Sequence, residues 1–345
     1  MRPFTRSAKV ASRGCSRPLQ RAITDFAADL PFGQVPLKLQ EHYGIKVAES
    51  TIQRITHGHA STIFQMSQVS PVFPETAGLH KVIIAQTDGG MVPIVEPDAG
   101  QKDKRKGKTL MWKEAKISLA HAKGSKTPIY AGTIAGGPEV AGKQLLDCAM
   151  RAGFGTGSQV HAVGDGALWI VDQVEAQFGE QGSYLIDFYH ACEYLGAAAK
   201  AVSPAAAAQN IWMEAQKDAL KTGRADSVLQ ALSLHIEAPD LDDAQAPVRC
   251  CHRYLSSRRD QLNYREALAN DLPIGSGEIE SAHRYIAQQR LKRPGAWWLV
   301  DHADHMLALR INRQNGGWDA YWATSGHRAR AANENLPATS RKSAA

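Results

Sequence analysis

Ile83-Ile84-Ala85-Gln86-Thr87-Asp88-Gly89 is an apolar run that ends in a carboxylate and a glycine. A short apolar run of this kind is typical of a buried strand, with residues 82–85 as its core. The Asp88-Gly89-Gly90 triplet is turn-forming, so residues 91–95 are expected to return as the second strand of a hairpin. Alternation of apolar and polar residues over 114–121 predicts a third strand, which gives three antiparallel strands.

Two further short strands are predicted at 160–163 and 184–186, and each ends at an acidic residue, Asp165 and Asp187. Helical patterns at 136–152 and 167–178 precede them. The succession β-β-β-α-β-α-β followed by a helix is that of a ribonuclease-H-like α/β core, in which catalytic groups lie at strand ends.

The rest of the chain predicts helices on both sides of this core. Residues 188–270 hold no strand pattern and are expected to form an all-helical insertion, and a Ser/Pro-rich connector follows the N-terminal helices. We therefore predict a helix-turn-helix region at 1–66, a linker at 67–78, the first part of the core at 79–190, a helical insertion at 191–271, core completion at 272–322 and a polar tail at 323–345.

The N-terminal region has the outline of a helix-turn-helix. Helical periodicity over 17–43 is broken at Gly44-Ile45-Lys46-Val47, and a polar and basic helix start follows. If that helix enters the major groove, the contact residues are Thr51, Gln53, Arg54 and His57. A small all-α cap without a ligand is the alternative.

Composition narrows the class of protein. The 345 residues carry a formal charge of +6, which is compatible with a polyanionic partner such as DNA. The five cysteines are an odd set without CxxC spacing, as expected in a reducing compartment. Neither a signal peptide nor an apolar membrane span is evident, so a cytoplasmic, nucleoid-associated protein is expected.

Three carboxylates are candidates for catalysis: Asp88, Asp165 and Glu280. Each aspartate follows a predicted strand and precedes a glycine, which leaves room for a metal and a phosphate. Mg²⁺ takes a few hard carboxylate oxygens and completes its shell with water and phosphate. For either aspartate alone, an ordinary Asp-Gly turn is the simpler interpretation; the set of three favours a metal site.

Glu280 lies in a helix that is expected to begin near Ser276, with that serine as its N-cap. Ile279, Ala282 and Ile286 define the expected packed face, so Glu280 is turned about 100° away from it. Glu278 is an alternative ligand that position alone does not exclude.

Basic residues form two groups that are predicted to contact the DNA backbone. One is a loop between strands and the other continues the Glu280 helix: Lys102, Lys104, Arg105, Lys106 and Lys108, then Arg284, Arg290, Lys292 and Arg293. Four C-terminal tryptophans, Trp297, Trp298, Trp318 and Trp322, either stack on bases or, as we favour, pack the helices.

Asp187-Phe188-Tyr189-His190 permits two interpretations. Asp187 can cap the following helix with His190 in its first turn. Alternatively, His190 lies near the scissile phosphate as a donor or proton shuttle.

Together these motifs resemble the DDE transposases of ISKra-type bacterial insertion sequences, in the Mutator-like branch. The matching residues are Thr87-Asp88-Gly89, Gly164-Asp165-Gly166-Ala167, Asp187-Phe188-Tyr189-His190, Leu272–Gly277 ahead of Glu280, and Gln289-Arg290-Leu291-Lys292. In that family the glutamate follows Gly-Ser-Gly by three positions, which falls on Glu280; Glu278 stands where an apolar residue is more usual.

The resemblance implies a function. Asp88, Asp165 and Glu280 would hold two Mg²⁺ ions ~3.5–4 Å apart, for which Mn²⁺ would substitute, to cleave double-stranded DNA at transposon ends and transfer the strand into a target. His190 would assist, and paired ends imply a homodimer or larger assembly. The alternatives are a non-catalytic or decayed DNA-binding regulator and a ribonuclease-H-like nuclease without strand transfer.

Overall fold

The computed structural model describes residues 14–68, 70–98, 100 and 107–324, and five strands within them form one sheet. The strands are β1 (Val82–Pro97), β2 (Lys108–Ala122), β3 (Ile129–Thr133), β4 (Gln159–Gly164) and β5 (Gly182–Ile186). Their order is β3-β2-β1-β4-β5. β4 is parallel to both β1 and β5, whereas β2 is antiparallel to β3. The protein is therefore mixed α/β with a mixed sheet.

The predicted turn at Asp88-Gly89-Gly90 is wrong, because β1 continues through it as one strand. The hairpin closes ten residues later, where the Asp98 N–H donates to the Gly107 carbonyl at 2.8 Å. At the other end, the Lys123 N–H donates to the Val82 carbonyl at 3.0 Å. Gly90 permits the close approach of a neighbouring side chain rather than a turn, since a strand glycine leaves room for such a group.

Strand β3 was missed by the sequence analysis. It pairs with β2 from Lys116 opposite Thr133 to Ala120 opposite Ile129. The expected number of strands before the first core helix holds, but its members differ: residues 82–85 and 91–95 are one strand, and β3 is the third. Five edge residues with only Tyr130 and Thr133 buried carry too little alternation to be recognised.

Two helices that the sequence predicts within the core are confirmed. They are α4 (Pro138–Arg151) and α5 (Leu168–Phe178). Leu145 of α4 and Ile170 of α5 pack in one apolar cluster with Ile83 of β1 and Val160 of β4. This cluster packs the two helices against the sheet.

The region after β5 is helical, as its sequence pattern predicts. It holds α6 (Phe188–Val202), α7 (Ala206–Lys221), α8 (Ala225–Ser233), α9 (Pro247–Ser256) and α10 (Tyr264–Ala269). These helices have an apolar cluster of their own, which includes Leu195, Leu220, Leu255 and the fully buried Tyr264. None of the helices that the structure describes is long and apolar enough to cross a bilayer.

The chain divides into two compact units. The second unit comprises residues 69–90 and 116–283, and the first comprises 1–68, 91–115 and 284–345. The predicted segments were drawn differently, since 91–115 and 284–322 were assigned to the core. The predicted polar tail lies outside the described residues from 325 onward.

In the first unit, helices α1 (Arg17–Asp29), α2 (Val35–Tyr43) and α3 (Glu49–Met66) enclose an apolar cluster that includes Ile23, Leu39 and Ile52. Helix α2 ends at Gly44, whose φ of 65° gives the left-handed C-cap that favours glycine. Helix α12 (Val300–Gln314) packs against α3. Three helices therefore lie where the sequence predicts a helix-turn-helix region.

Two histidines of α3 make the stability of the first unit sensitive to acid. Burial lowers the pKa of His57 to about 4, and the nearby His302, His305 and Arg290 contribute to this shift. Burial, with a contribution from Arg17, lowers the pKa of His59 to about 4. The usual value of 6.5 applies to the unfolded chain, so the unfolded state binds more protons between these limits. The contribution of the two neutral histidines to stability is therefore fully present above pH 6.5 and decreases as the pH falls toward 4.

We therefore expect the urea midpoint to decrease between pH 7.5 and pH 5. The His59→Gln variant should show a smaller decrease, because one of the two groups that must be protonated is gone. An equal decrease in the variant and the native protein would contradict the assignment.

Candidate active site at the carboxyl edge of the sheet

Three aspartates follow the paired residues of the parallel strands β1, β4 and β5. Val82 pairs with Gln159 and Ala85 with Ala162, a separation of 77 residues that Asp88 and Asp165 share. Gly164 pairs with Ile186, a separation of 22 that Asp165 and Asp187 share. Neighbouring strands are ~4.8 Å apart, so the pairing register brings the three positions to one edge of the sheet.

Asp88 is held by the next backbone N–H and by a buried histidine. Its Oδ1 accepts from the Gly89 N–H at 2.7 Å. The Nε2 of His283, a residue only 3% exposed, donates to the Asp88 carbonyl at 3.0 Å and lies 3.8 Å from Oδ2. Sequence reasoning missed His283; its only signal was its place four residues after Ile279, on the packed face of the helix.

Gly90 leaves the space that this histidine occupies. A Cβ at Gly90 would lie 2.7 Å from Nδ1 and 3.1 Å from Cε1 of His283. We expect Gly90→Ala to destabilise the protein by about 1–3 kcal/mol, because the buried ring must move. Urea unfolding measures this, with Gly137→Ala as the control, since a Cβ at Gly137 meets nothing within 4 Å. Equal stability of the two variants would show that the ring yields freely.

The loop that carries Asp165 is fastened by three side chains from distant parts of the chain. Oδ1 of Asp165 accepts from the Ala167 N–H at 2.9 Å. Tyr254 of α9 donates to the Asp165 carbonyl at 2.7 Å, and Arg258 Nε donates to the Gly166 carbonyl at 3.0 Å. The Gly166 N–H donates to the Tyr184 hydroxyl at 2.9 Å. The helical segment therefore shapes this edge of the sheet, which no local sequence signal revealed.

Gly166 is required for two reasons. Its φ is +85°, and a Cβ there would lie 2.9 Å from the Tyr254 hydroxyl and 3.0 Å from Arg258 Nε. Gly124 is a matched control, with φ +82° and nothing within 4 Å of the place that a Cβ would take. We expect Gly124→Ala to cost about 1–2 kcal/mol of stability from backbone strain. Gly166→Ala should lower the free energy of unfolding, measured by urea denaturation, by more than Gly124→Ala does, and should also lower activity. Equal losses of stability in the two variants would contradict the role of Tyr254 and Arg258 in holding the loop.

Asp187 is a structural residue, which confirms the capping interpretation. It is 2% exposed, and its Oδ1 accepts from the N–H groups of Tyr189 at 2.6 Å and His190 at 3.1 Å. Oδ2 accepts from the N–H of Ser276 at 2.6 Å and from its hydroxyl at 2.5 Å. The His190 ring lies outside this network, with Nδ1 3.3 Å from Glu193 Oε2 and its edge against Tyr254.

Ser276 lies at the expected N-cap position, but its hydroxyl binds Asp187 instead of a backbone N–H of the helix that follows. Helix α11 (Gly277–Ala282) has no capping bond from this side chain. One of its free donors is satisfied from the sheet, where Gln86 Oε1 accepts from the Ile279 N–H at 3.0 Å. Because Gln86 lies two residues before Asp88, this bond fixes α11 beside that part of β1.

The two glutamates of α11 differ in their surroundings. Glu278 Oε2 accepts from His121 Nε2 at 2.9 Å, and this bond raises the pKa of His121. Glu280 is exposed, while Ile279 and Ala282 are buried as expected. A π-helix, His283–Gln288, follows directly, and such segments are frequent at functional sites. Glu280 is therefore better placed than Glu278 to act as a ligand.

The side chains at this edge have the donor chemistry that a divalent metal requires, but the described residues are not grouped into a metal site. Asp88, Asp165 and Glu280 supply the hard oxygens that Mg²⁺ prefers. Within residues 14–68, 70–98, 100 and 107–324, no three His, Cys, Asp or Glu side chains are grouped closely enough to hold an ion. Backbone register thus aligns the two aspartates, and the Gln86 bond fixes the helix that carries Glu280 beside β1, while the carboxylates remain separate in this conformation.

Those residues predicted to contact DNA that the structure describes are in the first unit. Arg54 is exposed, Thr51 and Gln53 are half-buried, and Gln53 binds Glu49 at 3.0 Å. His57 departs from the expectation, because its ring stacks on His302 with centroids 4.0 Å apart.

The residues of the two predicted basic groups also differ in their exposure. Lys102, Lys104, Arg105 and Lys106 lie outside the described residues, whereas Lys108, Arg284 and Lys292 are exposed and Arg293 is half-buried. Arg290 is 2% exposed and is not a surface contact. Trp298 and Trp322 are buried, as the packing interpretation predicts, but Trp297 is 60% exposed.

Comparison with known proteins adds no relative. No model of a protein family and no curated protein sequence matches this chain. Its function must therefore be inferred from the site.

Proposed function

We propose that the chain is a DDE transposase with a ribonuclease-H-like core, which cleaves DNA at the ends of a mobile element and transfers the strand into target DNA. The observation that carries the proposal is the strand register: Asp88 and Asp165 share the separation of the β1–β4 pairs. The strand order is β3-β2-β1-β4-β5, in which β2 is antiparallel to β3 and the strands β1, β4 and β5 are parallel. This arrangement supports the same class of core.

The residues that would hold Mg²⁺ are Asp88, Asp165 and Glu280, with Mn²⁺ as a substitute. The bound ions would activate water or a 3′-hydroxyl and stabilise the leaving oxygen. The chain itself positions these carboxylates: the Gly89 and Ala167 N–H groups orient the aspartates. Asp187 and Gln86 hold the helix that carries Glu280. His190, whose ring is partly exposed, is the proposed proton donor to the leaving group.

Double-stranded DNA is the proposed partner. Arg54 on α3 and the exposed Lys108, Arg284 and Lys292 supply cations for phosphate contacts, so binding would weaken steeply with salt. Two transposon ends must be cut together, for which we propose a homodimer or larger assembly, in the nucleoid of the cytoplasm.

Strand joining tests the proposal against its alternatives. The substrates are fragments from each flank of the gene, pre-nicked to expose a 3′-hydroxyl, with a supercoiled plasmid as target and EDTA as the control. Joined products that require Mg²⁺ would support a transposase. Nicking without joining would indicate a nuclease, and binding with neither reaction would indicate a regulator; both outcomes overturn the proposal.

A further inference from the structure

The first unit contains a pocket that the proposed reaction does not use. It has a volume of about 560 Å³, within the usual range of roughly 300–1,000 Å³ for ligand pockets. Its lining combines aromatic rings with cationic and hydrogen-bonding groups: Phe32, His57, Lys108, Arg290, Trp297 and Trp298.

Arg290 is buried here without full hydrogen bonding. Its Nε donates to the Ala27 carbonyl at 3.0 Å, but its Nη2 has no partner among the described residues. The guanidinium carbon lies 4.8 Å from the ring centroid of Phe32 and 4.7 Å from that of Trp298. A buried donor left unpaired is costly, so this cation is suited to an acceptor that enters the pocket.

Two more lining groups share this property. Trp298 Nε1 and His57 Nδ1 are buried and have no hydrogen-bond partner within the described part of the chain. A pocket with two unpaired N–H donors, on Arg290 and Trp298, favours a ligand edge that carries two acceptors. Among the bases, guanine has that edge in O6 and N7.

The charge around the pocket favours an anion. Arg290, Arg293 and Lys108 line it, and Glu49 is its only acidic lining residue among those described. Burial, with Arg310 and Arg293 nearby, lowers the pKa of Arg290 to about 10, which still leaves it charged at neutral pH. His57 is neutral there, because its pKa is about 4. The cationic excess fits a phosphate that stays near the rim.

The rim also offers an exposed ring. Trp297 is 60% exposed, and Lys108 Nζ lies 5.5 Å from its ring centroid. An exposed indole beside a lysine is the pair of groups that binds an unstacked base and its phosphate.

We propose that this pocket receives one unpaired nucleotide of a DNA strand, preferably guanine, with its base among Phe32, Trp297 and Trp298 and its phosphate on Lys108 and Arg293. The inference rests on the proposed function only in taking DNA as the ligand. It adds a site for a single unpaired base to a protein whose other contacts are to duplex.

The test measures binding in EDTA, so that it is independent of catalysis. Three labelled duplexes of equal length are compared by fluorescence anisotropy: one fully paired, one with a single unpaired guanine at its end and one with an abasic residue there. We expect the unpaired guanine to bind about 5- to 100-fold more tightly than the abasic end. Free dGMP should compete only at far higher concentration.

Trp297→Ala should remove this difference while leaving the affinity for paired duplex unchanged. Trp112→Ala is the matched control, because Trp112 is also exposed in the first unit and lies near Lys292, but does not line the pocket. Equal affinity for the guanine and abasic ends would overturn the inference and leave the transposase proposal intact. Tighter binding of dGMP than of the strand end would overturn DNA as the source of the nucleotide. Absence of all duplex binding would overturn both.

Discussion

Replacing Asp165 by Asn is expected to reduce metal-dependent DNA cleavage by at least about 10²-fold while leaving duplex affinity unchanged. The substitution removes one negative charge from the edge of the sheet where the proposed metal would bind. Loss of one group that stabilises charge in a transition state commonly costs this much or more.

The fold should tolerate this change. The Asn side-chain oxygen can still accept from the Ala167 N–H, which Oδ1 of Asp165 does now at 2.9 Å. Tyr254 and Arg258 bind backbone carbonyls of the loop rather than the carboxylate, so their bonds remain. A loss of activity would therefore not follow from a loss of structure.

The measurement is the single-turnover rate of nicking at saturating DNA, with affinity taken from anisotropy in EDTA. Asp172→Asn is the control, because Asp172 is exposed on α5 in the same unit and carries the same charge. Nicking by Asp165→Asn at the rate of the control would show that this edge is not catalytic.

Removing the Asp187 carboxylate is expected to produce the largest loss of stability among these predictions. Asp187→Ala should lower the free energy of unfolding by about 2–4 kcal/mol, because it leaves donors of Tyr189, His190 and Ser276 without their acceptor. Activity should fall as well, since the Ser276 bonds fasten the start of the helix that carries Glu280.

A double-mutant cycle with Ser276→Ala separates the two roles of Asp187. Urea unfolding of the single and double variants should give a coupling of about 0.5–3 kcal/mol if the carboxylate joins β5 to α11. Asp187→Asn should be intermediate, because its amide retains one acceptor for the helix but faces the Ser276 donors with an N–H group. A loss near 1 kcal/mol without coupling would reduce Asp187 to an ordinary helix cap.

The errors of the sequence analysis have physical causes. Asp88-Gly89-Gly90 has turn composition, yet it stays in β1 because the buried ring of His283 packs against Gly90, 193 residues later. Ser276 has cap composition, yet its hydroxyl binds Asp187. In both cases a tertiary partner overrides the local preference, and one sequence does not reveal that partner.

Local pattern was sufficient for most of the elements, though not for β3 or the extent of β1, and for the candidate aspartates. Periodicity predicted α4, α5, β4 and β5 and the helical region after Asp187, because burial of one face repeats every 3.6 or 2 residues whatever the distant contacts are. The dipeptides Asp88-Gly89 and Asp165-Gly166 were recognisable because each follows a short apolar run, although only Asp165 lies at the end of its strand.

The tertiary structure alone determined the strand register, the side chains that hold the candidate site residues in place, and the pocket. The alignment of Asp88 with Asp165 depends on pairing between strands 77 residues apart, and Tyr254 reaches Asp165 across 89 residues. Arg290 looked like a surface charge, but packing between Phe32 and Trp298 buries it. Such contacts follow from how the whole chain excludes water, a property that no short segment encodes.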